Sequence, residues 1–181
     1  MTDLIATQRS AASVSPTVAE PAQYLTFMLG GEAFAIGILS IKEIIEYQGL
    51  TTVPMMPECV RGVINLRGAV VPVIDLQARL GRRSSEVTKR TCIVIVEVQG
   101  EDERQVVGVV VDVVNEVLEI APADIEPAPT FGARIRTDFI AGMGKVRGKF
   151  VILLDVDTVL AIADELIGRA GAAHEPAVAL T

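Results

Sequence analysis

A module that occurs twice limits this chain more than any other feature. Residues 62 to 76 read GVINLRGAVVPVIDL, and residues 142 to 156 read GMGKVRGKFVILLDV. Gly62, Arg67, Gly68, Val71 and Asp75 recur as Gly142, Arg147, Gly148, Val151 and Asp155 at one constant offset. The repeat extends upstream. YLTFML, a GGE turn and AFAIGI form one hairpin pattern, and RTCIVIVEVQ with QVVGVVVDVV forms a second. Each hairpin is followed by a segment that closes on glutamates, SIKEIIE and VNEVLEI, and this aligns Glu43 with Glu116 and Glu46 with Glu119. Proline-bearing connections, TTVPMMPE and IAPADIEPAPTF, then lead into the Arg-Gly modules.

Short strands with frequent turns predict a mainly β fold, two small barrels side by side. The lobes are expected at roughly 22–85 and 88–156, with strand exchange between them left open. A helix is expected over 157–167. There Val159, Leu160, Ala163, Leu166 and Ile167 recur at helical spacing, with Asp157 as N-cap and Gly168 at the end. Residues 1–21 and 170–181 read as flexible tails, being rich in small and polar residues without periodicity.

Composition removes several classes of function. Net charge is −7 and aromatics are 4 %, with no Trp, so nucleic acid is not an expected partner. Mean hydropathy is high at +0.46, yet Glu97, Asp112 and Asp155 interrupt the apolar runs. None reaches the roughly 20 apolar residues of a membrane span. The first residues lack a basic start followed by an apolar core, so no secretion signal is read. The two cysteines, Cys59 and Cys92, offer no disulfide framework and fit a reducing cytoplasm.

No cofactor, metal or catalytic constellation is expected. His174 is the single histidine and lies in the C-terminal tail, without a fixed partner. One His and two distant Cys do not make a zinc site. GMGK at 142–145 lacks the first glycine and the Ser/Thr of a phosphate loop, and Asp155 with Asp157 reads as a strand end and helix cap. Glu43 and Glu46 share a face only if their segment is helical. Glu43 or Asp75 as an acid or base is the enzyme alternative. Arg67 is the leading candidate for function, at a turn beside an apolar strand. It is either a surface charge paired with a nearby carboxylate or a fork of donors for a partner. Arg147, its counterpart, has more basic neighbours and is expected to be more exposed.

These stretches together resemble the CheW family of bacterial chemotaxis coupling proteins over residues 23 to about 167. The resemblance rests on YLTFMLGGEAFAIGILSIKEI, GVINLRGAVVPVIDL, VVGVVVDVVNEVLEI and FIAGMGKV. It implies two SH3-like five-stranded barrels and a non-enzymatic cytoplasmic adaptor. The implied partners are the regulatory domain of a CheA-type histidine kinase and the cytoplasmic tips of chemoreceptors. It implies receptor contact for Arg67, Cys92, Ile93, Gly108 and Val117. It implies kinase contact for Ile41, Glu43, Arg61 and Gly62. A coupler for a related two-component pathway, controlling surface motility or biofilm formation, is the alternative.

Overall fold

A computed structural model describes residues 20–84, 86–100, 102–128 and 137–161. The N-terminal hairpin is β1 (Ala22–Leu29) and β2 (Glu32–Gly37), turning at Gly30 and Gly31 with φ of 56° and 85°. Then follow β3 (Ile41–Glu46), β4 (Val60–Leu66), β5 (Ala69–Asp75) and a one-turn helix α1 (Leu76–Arg79). The second half repeats this order. It has β6 (Cys92–Gln99), β7 (Arg104–Val111), β8 (Val113–Ile120), the short β9 (Ile125–Glu126), β10 (Ile140–Val146), β11 (Lys149–Leu154) and α2 (Val156–Val159).

The pairing crosses between the halves. One sheet runs β8-β1-β2-β11-β10-β9 and the other β3-β6-β7-β5-β4. Each sheet therefore takes its hairpin from one half and its Arg-Gly strands from the other. The joins are parallel, β2 with β11 at Phe34 and Ala35, and β5 with β7 at Gly108 to Val110. The same order of equivalent strands appears in both sheets, so the duplication is visible in three dimensions. Two details differ from expectation. β9 gives one sheet a sixth strand, and the pairings end at edge strands instead of closing a ring.

The apolar runs are continuous because these strands are covered on both faces. On β6, Val94, Val96 and Val98 enter a central cluster with Leu25, Phe27, Phe34 and Ile36 of the other sheet. Ile93 and Ile95 point the opposite way, into a second cluster with Ile64, Val71, Val73 and Val110. The equivalent cluster in the six-stranded sheet holds Ala35, Ile120, Val151 and Leu153. The central cluster thus cements the sheets, and each sheet curls around a core of its own.

Only the first turn of the expected C-terminal helix lies within the described residues. It begins earlier than expected, because Asp155 is its N-cap and accepts from the Thr158 N–H at 3.2 Å. Asp75 caps α1 in the same way, accepting from Ala78 N–H at 3.2 Å. Asp157 instead accepts from the Gln99 N–H at 2.9 Å and ties α2 to β6. Arg79 donates from Nε to the Val159 carbonyl at 2.8 Å and lies over the Phe139 ring. The two short helices therefore staple one sheet to the other. Among the described residues no helix is long and apolar enough to cross a membrane.

Candidate binding groove

The β4–β5 turn places Arg67. Its φ is 53° and that of Gly68 is 86°. Positive φ at both central positions is the pattern of a type I′ turn, whose twist matches a β-hairpin. Asn65 fixes the turn by accepting from the Gly68 N–H at 2.9 Å. From this tip the guanidinium reaches across to Glu43 on β3. Nη1 lies 2.9 Å from Oε1 and Nη2 lies 2.9 Å from Oε2, a two-pronged fork. Arg67 remains 77 % exposed, while Glu43 is 25 % exposed. Glu43 and Glu46 do not share a face, because their segment is a strand and residues three apart point oppositely.

The fork borders a groove of about 660 Å³. Lys42 and Glu43 form one wall, and Leu66, Arg67, Ala69 and Val71 of the hairpin form the other. Ile95 and Val106 lie between them. An apolar floor with a charged rim suits a protein segment that presents an apolar stripe. Sequence reasoning found Arg67 and Glu43 but missed the floor. Its signal was available: Leu66, Ala69 and Val71 flank the repeated turn at alternate positions.

The repeat builds a second, looser version of this latch. Arg147 and Gly148 adopt φ of 51° and 80°, and Arg147 Nη1 stands 3.5 Å from Glu116 Oε1. The alignment of Glu43 with Glu116 in the sequence is thus a spatial equivalence. Arg147 is 76 % exposed, so the two arginines are equally open and the expected difference is absent.

Comparison with known proteins decides the family. The CheW-like domain model matches residues 23–164. The chemotaxis protein CheW of Rhizobium meliloti is 34 % identical over 137 residues, covering 76 % of this chain and 86 % of that protein. The Bacillus subtilis chemotaxis protein CheW is 36 % identical over 137 residues, covering 75 % and 85 %. The crystal structure of the scaffolding protein TtCheW from Thermoanaerobacter tengcongensis matches with a TM-score of 0.70 at 32 % identity, covering 84 % of this chain and 94 % of that one. The chain belongs to the CheW-like family.

The residues that the family likeness singles out occupy very different environments. Arg67 is exposed, and Val117 on β8 is 47 % exposed, but they stand on different sheets. Ile93 is fully buried. Gly108 faces Ile95 across β6 and Val73 across β5, and a Cβ there would lie 2.9 Å from Ile93 Cγ2. Cys92 is half-buried at the start of β6 opposite Glu46. Burial pushes its thiol above the ordinary range, helped by the Glu46 carboxylate.

The kinase-side set divides similarly. Ile41 is half-buried against the central cluster. Arg61 is committed to the interior. Nη2 and Nε both lie 3.1 Å from Asp75 Oδ2, and Nη1 donates to the Tyr47 hydroxyl at 3.3 Å. Asp75 is fully buried, so the Arg61 charge neutralises it there. Gly62 sits at a β-bulge with φ of 152°, where any Cβ would collide with the Thr51 carbonyl oxygen. Gly142 sits at the equivalent bulge, its Cβ direction filled by Ile125 Cγ2 at 2.7 Å. Both carboxylates of the enzyme alternative, Glu43 and Asp75, are engaged by arginines.

Proposed function

We propose that this protein is a chemotaxis adaptor that couples receptor cytoplasmic tips to a CheA-type histidine kinase in the cytoplasm. One observation carries the reading. Arg67, a receptor-side residue by family likeness, and Glu43, a kinase-side residue, hold each other in a two-pronged ion pair. On this reading the receptor side and the kinase side adjoin at this ion pair. A receptor segment in the groove competes with Glu43 for the Arg67 donors. Release or reorientation of Glu43 then changes the surface offered to the kinase. Such coupling passes a signal only as far as the two receptor states differ in affinity.

Exposure supports a division of the contact set. Arg67 and Val117 touch receptor directly, and Cys92, half-buried against the central cluster on the face of β6 opposite Ile95, acts from beneath. Ile93 and Gly108 shape the floor from within. Ile41 and Glu43 lie nearest the kinase, while Arg61 and Gly62 hold the backbone that presents them.

Calorimetric titration with the kinase regulatory domain, then with a receptor-tip fragment, tests the reading. Saturable binding of both partners at once is expected. Glu43→Gln is expected to alter both affinities, since it breaks the shared contact. A folded protein that binds neither partner, or a Glu43→Gln variant with both affinities unchanged, overturns it.

A further inference from the structure

The repeat has diverged at one place in a way the first groove does not explain. At the β4–β5 tip the residues around Arg67 are Asn65, Ala69 and Val70. At the β10–β11 tip the equivalent positions are Lys145, Lys149 and Phe150. Lys145 pairs with Phe150 and Val146 pairs with Lys149, so the lysines stand on opposite faces of the ribbon. Arg147 caps the turn between them. Both lysines are exposed, and Phe150 is 51 % exposed. Three cations therefore surround one hairpin end of a chain whose net charge is −7.

We propose that the β10–β11 tip is a docking site for an acidic polypeptide segment, in which Arg147 exchanges Glu116 for a partner carboxylate. The weak latch makes Arg147 available. Its single contact is 3.5 Å long and Glu116 is 51 % exposed, against the 2.9 Å double contact of Arg67 with a largely covered Glu43. Exposed pairs of this kind contribute little and are readily traded. Phe150 supplies apolar area beside Lys145 for a neighbouring apolar side chain, and with Arg the combination is typical of interface anchors.

A narrow polypeptide fits better than an anionic membrane. Glu116 stands beside the tip, and Glu126 lies farther back, exposed on β9 opposite Met143. A broad anionic surface would press against those carboxylates and against the net negative charge of the chain. A narrow segment can engage Arg147 and the two lysines while leaving those carboxylates uncovered. The site is separate from the Arg67 groove, so it stands or falls independently of the function proposed above.

The test uses the full chain and a short fluorescein-labelled peptide of glutamates around a central Leu-Leu pair, read by anisotropy at low salt. Saturable binding is expected, with a loss of about tenfold in the K145Q/K149Q variant. Binding should weaken as salt rises, and R67E should leave it unchanged. E116Q is expected to tighten binding more than E126Q, because only E116Q frees Arg147. The proposal is overturned if the peptide fails to bind, if K145Q/K149Q binds like the parent, or if the two Gln variants tighten binding equally. Binding to phosphatidylserine vesicles in preference to the peptide also overturns it, in favour of a lipid surface.

Discussion

Replacing Arg61 by Met separates a structural arginine from a partner-binding one. Asp75 is fully buried and Arg61 is 19 % exposed, so the pair sits largely out of water. Removing one member of a buried pair costs about 3–5 kcal/mol, because the other charge is stranded. Asp75 keeps the Ala78 N–H as a donor, and part of Arg61 reaches solvent. Both features place the loss near the lower bound, about 3 kcal/mol. For a domain of this size that is a fall in Tm of about 10 °C. Urea unfolding followed by circular dichroism measures it, and the slope should match the parent if both unfold from the same compact state. Adding Asp75→Asn removes the stranded charge while an Asn can still cap α1. The double variant should therefore be more stable than Arg61→Met alone. A loss below about 1 kcal/mol, together with weakened kinase binding, would refute the reasoning and make Arg61 a contact residue.

Other outcomes follow from the same geometry. Arg67→Ala should change stability by less than about 1 kcal/mol, since the Arg67 side chain is itself largely exposed, yet weaken receptor-tip binding by about tenfold; calorimetry checks both. Gly62→Ala should lose at least about 2 kcal/mol in urea unfolding, because strain and the Thr51 carbonyl collision combine. Burial pushes the Cys59 thiol above its ordinary value of 9.0, outweighing the opposing pull of Arg79. Below pH 9.0 folded and unfolded states both keep the proton, and above it the unfolded chain ionises first, so stability falls with rising pH. Cys59→Ala should flatten that fall in unfolding curves taken across alkaline pH, and an unchanged slope would show that Cys59 plays no part in it.

The sequence repeat made the plan of the fold legible, because a periodicity of turns and apolar strands survives duplication. It also placed Glu43 and Glu116 in equivalent positions, and hence the two latches. Which sheet receives each hairpin was not legible. β2 finds β11 more than a hundred positions away, and a continuous apolar strand fits any covered site. The same continuity hid the difference between Ile93, turned into its own sheet's core, and Val94, turned toward the other sheet. Arg61 and Arg67 look alike as letters. Only the fold reveals that one is paired with a buried aspartate and the other stands at a turn tip. The α1 turn carried too short a pattern to be read, although Asp75 was visible as the twin of Asp155.

The crossing of the chain between sheets has a mechanical consequence. It passes from β2 to β3 through Ile38–Ser40, and from β7 to β8 through Asp112 alone. Asp112 is itself pinned, donating its N–H to Met28 and accepting the Gly30 N–H on its carboxylate. Such short, anchored bridges leave little slack for one sheet to slide over the other. A push on either face then travels as a tilt of a stiff body, with the far edge moving as the end of a lever.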